Sequence, residues 1–255
     1  MDRFKVLEKV KSWVKEVGIL QIARIYDDFE VRSKSNEHDL VTEVDELSER
    51  ILIDYIRAEY PNHSIISEES GIDNRRSDYQ WIIDPLDGTT NYTHGFSLFC
   101  ISIALQYQNE TILGLVYLPK LEYLYYAIKG EGAFLNGQRI KVSTTERLEK
   151  ALLVTDFSYY RDENPDNNAD CFDKVVKQVQ GTRKTGSAAL DLCGIAEGTL
   201  DCFWELELRP WDIAAGALLI KEAEGKVLTF NKEGKLTIIA ANNRLLKLII
   251  KKLKI

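Results

Sequence analysis

Apolar residues recur at three- and four-residue spacing at the start of the chain. Phe4, Leu7, Val10, Trp13, Val14, Val17 and Leu20 fall on one side of a helix, and the spacing predicts that helix over residues 3–26. Residues 42–59 repeat the pattern through Val44, Leu47, Ile51, Ile53 and Tyr55. Shorter runs follow. HSIISEE and YQWIID are β-rich, each closes on acid, and both are expected as strands. From Leu98 the runs LFCISIALQY, TILGLVYLP and EYLYYAIKG are separated by a few turn-like residues, which favours antiparallel neighbours. AFLNGQRIKV comes next, with Asn136-Gly137 as a hairpin signal.

The polar stretch STTERLEK, residues 143–150, separates this texture from a second one and marks a division into residues 1–145 and 146–255. Beyond it, strand-like ALLVT, LDCFWEL, KVLTF and LTIIAA alternate with helix-like FDKVVKQVQ, SAALDLCGIAEG and IAAGALLIKEAEG. The expected class is therefore mixed, an α+β half with an antiparallel sheet followed by an α/β half. RDENPDNNAD, residues 161–170, is a loop with no assigned role. The basic, amphipathic tail NRLLKLIIKKLKI is expected as a docked terminal helix rather than a membrane-surface anchor.

Composition narrows the picture. A chain of 255 residues with 45% hydrophobic content has enough apolar material for a sizeable core, and a net charge of -7 argues against a general nucleic-acid binder. Cys100, Cys171, Cys193 and Cys202 form no CxxC pair and read as buried free thiols in a reducing compartment. The charged N-terminus lacks a secretory h-region, and no apolar run approaches the ~20 residues of a membrane span. A cytoplasmic protein is expected.

The chemistry gathers around WIIDPLDGTTN. Asp84 stands where an apolar strand ends, Pro85 is expected to turn the chain, and Asp87 points back towards the same place. Residues 88–91 offer backbone N–H donors at a helix start, a ready anion site. The plainer reading makes both aspartates turn and cap residues. Glu68-Glu69 closes the neighbouring strand, however, and Asp212 sits at an N-cap position beside Pro210. Carboxylates converging in one cleft repel unless protonated or neutralised by cations, and an all-oxygen set selects Mg2+ over Zn2+. A metal cluster beside an anion site is a phosphoryl-transfer site in outline.

WIIDPLDGTTN, with SEES upstream, DLVTEVD earlier and RPWDIAAG downstream, closely resembles the inositol monophosphatase family of Mg2+-dependent, lithium-sensitive phosphatases, from the first helix to the last. The resemblance implies a layered αβαβα sandwich of the inositol monophosphatase and fructose-1,6-bisphosphatase type. It also implies a homodimer, two or three Mg2+ ions with Mn2+ as a substitute, and inositol 1-phosphate as the small-molecule phosphate monoester. Membranes and nucleic acids are not expected partners.

By the same resemblance Glu68, Asp84, the Leu86 carbonyl, Asp87 and Asp212 are metal ligands, Glu68 counting also among the catalytic groups. Asp45 and Thr89 orient the attacking water, and the amides of Gly88 and Thr89 cradle phosphate. Gly186, Ser187, Ala188 and Glu205, with Asp87, take the alcohol part of the substrate. Taken alone, Thr89 is an ordinary helix cap, Asp45 a solvated helix face and Glu205 a strand-end acid. Arg183-Lys184 adds positive charge that leaves open a substrate with a second phosphate. None of His38, His63 and His94 is needed. Rival readings are a fructose-1,6-bisphosphatase or dual-activity sugar phosphatase, and a regulatory partner of an RNA or protein complex on the same fold. A dinucleotide-dependent oxidoreductase would rest only on the weak Gly130-Glu131-Gly132 spacing.

Overall fold

The computed structural model describes residues 1–34, 37, 39–157, 168–232 and 235–253. Helix α1 (Arg3–Arg24) starts where the Asp2 side chain accepts hydrogen bonds from the N–H groups of Phe4 and Lys5. Its buried stripe runs through Val6, Val10, Trp13, Val14 and Val17 to Gln21, and leaves Phe4 exposed. Strands β1 (Val31–Ser33) and β2 (Leu40–Thr42) form a small antiparallel ribbon that delivers Thr42 as the cap of α2 (Glu43–Glu59).

The chain then builds a large sheet from β3 (Ser64–Ser67), β4 (Gly71–Asp73), β5 (Tyr79–Asp87), and, after the short α3 (Thr89–Thr93), β6 (Cys100–Tyr107), β7 (Glu110–Leu118), β8 (Tyr123–Ile128), β9 (Gly132–Leu135) and β10 (Gln138–Arg139). Its order is β10-β9-β8-β7-β6-β5-β3-β4. All neighbours are antiparallel except β3 and β5, which run parallel and are joined by the segment 68–78 that carries β4. Asn136 and Gly137 both take positive φ, 48° and 85°, the requirement of the tight hairpin turn expected there.

A second sheet follows: β11 (Leu152–Val154), α4 (Ala169–Val176), β12 (Gly181–Arg183), α5 (Ala188–Glu197), β13 (Cys202–Leu208), α6 (Pro210–Glu222), β14 (Lys226–Lys232), β15 (Lys235–Ala241) and α7 (Asn243–Leu253). The strand order is β12-β11-β13-β15-β14, with β11 parallel to both its neighbours and the remaining pairs antiparallel.

Three apolar cores set the layers. Trp13, Val14, Leu52 and Ile56 of α1 and α2 pack on Trp81, Ile83, Ile103 and Leu115 of the large sheet. The opposite face of that sheet, through Ile82, Ala104 and Val116, meets α5 and α6, which also cover Phe203, Ile238 and Ala240 of the second sheet. Val175 of α4 and Leu245, Leu246, Ile249 and Leu253 of α7 close the outer side against Trp204 and Ile239. The order is α-β-α-β-α, and the basic tail docks as a helix. Each such Val, Leu or Ile contributes ~1.5–3 kcal/mol when fully buried. Helix α6 approaches closely because residue 114 is glycine; a Cβ there would stand 2.9 Å from the Ala215 carbonyl oxygen. Among the described residues no helix is long and apolar enough to cross a membrane.

Candidate active site

Two aspartates three residues apart should face opposite sides of a regular strand. In β5 they do not, because the strand does not turn at Pro85 as the Asp-Pro dipeptide suggests. It continues to Asp87 through an irregularity in which Asp84 pairs with Ser102 and Asp87 with Cys100, three residues of β5 against two of β6. One extra residue converts a spacing of three into an effective spacing of two, so both carboxylates emerge on the face covered by α5 and α6. Proline is tolerated there because a bulge needs no ladder donor. The Leu86 N–H donates to Asp84 Oδ1 (3.0 Å), fixing the carboxylate over the bulge. Gly88 then takes φ 97°, and a Cβ would meet the Leu98 carbonyl oxygen at 2.9 Å, which leaves glycine as the fitting residue before α3.

Helix α2 brings the second group. Its inward face is Val44, Asp45, Ser48, Glu49, Leu52 and Ile56, so the stripe is shifted from the expected Leu47, Ile51, Ile53 and Tyr55. The first two turns of that face are polar because each side chain there has a buried partner: Asp45 accepts from Thr42 and Thr89, Ser48 from Gln21, and Glu49 from the N–H groups of Glu69 and Ser70. Asp45 is fully buried, not solvated, and forms a capping box with Thr42. Its Oδ2 accepts from the Thr42 N–H (2.9 Å) and the Thr42 hydroxyl, while Oδ1 accepts from the Thr89 hydroxyl (2.9 Å), which also lies 3.1 Å from the Leu86 carbonyl oxygen. Glu68 follows β3, and its Oε1 lies 2.7 Å from Lys34 Nζ, which also holds Glu69 Oε1 at 2.6 Å.

The third group comes from residues 156–212. Asp87 Oδ2 accepts from the Ser187 hydroxyl (2.8 Å) and the Ala189 N–H (2.7 Å), placing the carboxylate at the positive end of α5. Gly186 takes φ 82° against the Asn91 side chain, which donates to the Leu98 and Thr185 carbonyls and so ties α3 to the segment leading into Ser187 and Ala188. Asp212 is the third residue of α6 rather than its cap: Pro210 takes the first helical position, where its missing N–H costs nothing, and Asp212 Oδ2 accepts from the Arg209 N–H (2.6 Å). Glu205 is no solvated strand-end acid; its Oε2 is buried and without a hydrogen-bond partner.

The electrostatics agree on one cause. Burial first, then Glu68, Asp87 and Asp212, drive Asp84 well above the ordinary carboxylate range. Burial and Asp87 do the same for Asp212, and burial with Asp156, Asp191, Asp212 and Asp87 for Glu205. Asp87 is held at about 6, burial outweighing the Ala189 and Ser187 hydrogen bonds. Burial lowers the Lys34 ammonium, but Glu68 and Glu69 reverse the balance and raise it.

Glu68, Asp84, Asp87 and Asp212 thus sense each other, and a divalent cation would relieve their mutual repulsion. Among the described residues no three His, Cys, Asp or Glu side chains are grouped tightly enough to hold a metal ion by themselves. The donor chemistry fits Mg2+ nonetheless, since carboxylates are its protein ligands and Mg2+ completes its shell with water and substrate oxygens.

Other residues fall outside the cluster. His63 stacks between Tyr60 and Tyr79 and accepts from Trp81 Nε1 (3.2 Å), a packing role; His94 is exposed, and His38 lies outside the described residues. All four cysteines are free; Cys171 is half-buried rather than buried. Of the segment 161–170, expected as a loop, residues 161–167 lie outside the described residues, and Ala169 and Asp170 instead open α4. Asn168 is buried, donating to Thr155 Oγ1 and accepting from Trp204 Nε1 (both 2.7 Å). Sequence reasoning missed Lys34, Glu49, Gln21 and Asn91. Only Asn91 carried a local signal, as the last residue of WIIDPLDGTTN.

The model of the inositol monophosphatase family matches residues 5–255. Inositol-1-monophosphatase of Synechocystis is 43% identical over 206 residues, 79% of this chain and 71% of that protein. Nus factor SuhB of Escherichia coli is 41% identical over 223 residues, 86% and 84% of the two chains. Fructose-1,6-bisphosphatase/inositol-1-monophosphatase of Aquifex aeolicus is 38% identical over 248 residues, 94% of each. The solved structure of inositol monophosphatase from Anabaena superposes with a TM-score of 0.89 at 37% identity, covering 100% of this chain and 97% of that one.

Proposed function

The chain belongs to the inositol monophosphatase family, and on that premise we propose that it is a Mg2+-dependent phosphate monoester hydrolase acting on inositol 1-phosphate. The observation that carries the reading is the bulge in β5, which turns Asp84 and Asp87 onto one face beside Glu68, Asp212 and the Thr89–Asp45 pair. Glu68, Asp84, Asp87, Asp212 and the Leu86 carbonyl would hold the metal. Bound there, Mg2+ supplies a water of lowered pKa and neutralises charge on the phosphoryl group in transfer.

The chain's own residues do the rest. Asp45 Oδ1 accepts from the Thr89 hydroxyl (2.9 Å), which orients the Thr89 oxygen to receive a proton from the attacking water and pass its own to Asp45. Burial raises Asp45 to about 6, close to the pH at which proton acceptance is efficient. The amides of Gly88 and Thr89 cradle the phosphate, and Gly186, Ser187, Ala188 and Glu205 receive the alcohol. The Glu205 Oε2, buried and unpartnered, suits a ring hydroxyl donor. Residues 1–145 would carry most ligands and 146–255 Asp212 and the pocket, in a cytoplasmic homodimer.

Purified protein assayed with Mg2+ on inositol 1-phosphate, fructose 1,6-bisphosphate and 3'-phosphoadenosine 5'-phosphate tests the reading; release only from the last would overturn it. A bisphosphate substrate is the second reading, supported by the name of the Aquifex relative and by Lys184, two residues before Gly186 and paired with Asp156. A binding role on the same fold draws its support from the relatives named Nus factor SuhB. Co-purified macromolecules with no turnover at saturating Mg2+ would favour it.

A further inference from the structure

Two successive backbone N–H groups after Glu68 are both taken by one side chain from another element. Glu69 N donates to Glu49 Oε2 (2.9 Å), Ser70 N to Glu49 Oε1 (2.8 Å), and the Ser70 hydroxyl reaches Oε1 as well. Glu49 is 2% exposed. A carboxylate in such a place is costly unless its oxygens are filled, and the turn fills them. On its other side residue 68 is held by β5, its N–H donating to the Ile83 carbonyl (3.2 Å), one residue before Asp84. Glu68 is therefore clamped between β5 and α2.

Glu49 stands one helical turn after Asp45, on the same face of α2. That face holds Thr89 through Asp45 (2.9 Å) and the 68–70 turn through Glu49. We propose that Glu49 is a positioning residue of the metal site: it fixes the turn so that the Glu68 carboxylate is presented to Asp84, in register with the Asp45–Thr89 pair on the same rigid helix. The inference rests on the metal-dependent reading above. Glutamine at 49 has one acceptor oxygen where the turn offers three donors, so the turn loosens while the fold is kept.

The test is Mn2+ titration without substrate, followed by the EPR signal of free Mn2+, beside thermal unfolding in EDTA. Glu49→Gln is expected to bind Mn2+ about tenfold more weakly, the scale of losing an outer-shell partner. Ser70→Ala, which removes one donor and no charge, should also weaken binding, by a smaller factor than Glu49→Gln. Glu46→Gln makes the same charge change on α2 but meets Arg32 instead of the turn, and should bind as wild type. At saturating Mg2+ the Glu49→Gln enzyme should recover turnover with an unchanged KM for inositol 1-phosphate. Unchanged Mn2+ affinity in Glu49→Gln, with only its melting temperature lowered, overturns the inference. If that variant does not fold, unchanged affinity in Ser70→Ala overturns it. A wild-type chain that binds no Mn2+ overturns the metal-site reading itself, and this inference with it.

Discussion

Asp45→Asn separates the chemistry of one buried carboxylate from its structural part. Asparagine fits the same space: its oxygen can keep the Thr42 hydrogen bonds while its amide donates to Thr89, whose hydroxyl then turns to the Leu86 carbonyl, 3.1 Å away. The fold survives and the proposed proton acceptor is lost. Burial, the largest influence, with a contribution from Glu68, raises Asp45 from 3.8 to about 6 against hydrogen bonds from Thr42 and Thr89. Each pH unit corresponds to ~1.4 kcal/mol, so the ionised side chain costs the folded state up to ~3 kcal/mol. Because the folded pKa lies above the unfolded one, that stability is present below about pH 4 and is lost as pH rises through about 6. Metal-free wild type should therefore lose up to ~3 kcal/mol relative to Asp45→Asn between about pH 4 and 7, with no further divergence above. Urea unfolding in EDTA across that range measures it. With Mg2+, kcat should fall by ~10²–10⁴ while KM changes little. Parallel pH profiles for the two proteins, or near-normal turnover in the variant, would refute the reasoning.

Other outcomes follow from the same geometry. Asp84→Asn removes the carboxylate that Glu68, Asp87 and Asp212 all repel; phosphate release should drop by at least ~10³-fold, while calorimetry of the metal-free variant shows no loss of stability. Gly88→Ala forces a side chain onto φ 97° and against the Leu98 carbonyl; a urea midpoint corresponding to ~2–3 kcal/mol lower stability is expected, together with weaker phosphate binding.

Much of this was legible in residue order, for identifiable reasons. The helices and strands followed from period, and Asn136-Gly137 gave its hairpin because both residues tolerate positive φ. The acids at strand ends were visible, but the roles proposed for them came from the likeness of whole motifs, since an Asp before proline reads equally well as a turn. Local chemistry misled at Pro85, where pairing with β6 carried the strand onward as a bulge. It misled again on α2, whose polar residues Asp45, Ser48 and Glu49 face inward. The Lys34 contact to Glu68 spans 34 positions and the Glu49 contacts to the N–H groups of Glu69 and Ser70 span 20 and 21, and no local pattern encodes them. Gln21 is similar: fully buried on α1, it donates to Ser48 Oγ (3.1 Å) and to the Pro85 carbonyl (2.8 Å), a link that only the packed layers create.

Crystals grown with Mn2+ and phosphate, measured at a wavelength where manganese scatters anomalously, address the central claim most directly. Anomalous peaks should fall among Glu68, Asp84, Asp87 and Asp212, within coordination distance of their carboxylate oxygens, with phosphate beside Gly88 and Thr89. Density free of such peaks at saturating Mn2+, with Lys34 still bound to Glu68, would contradict it.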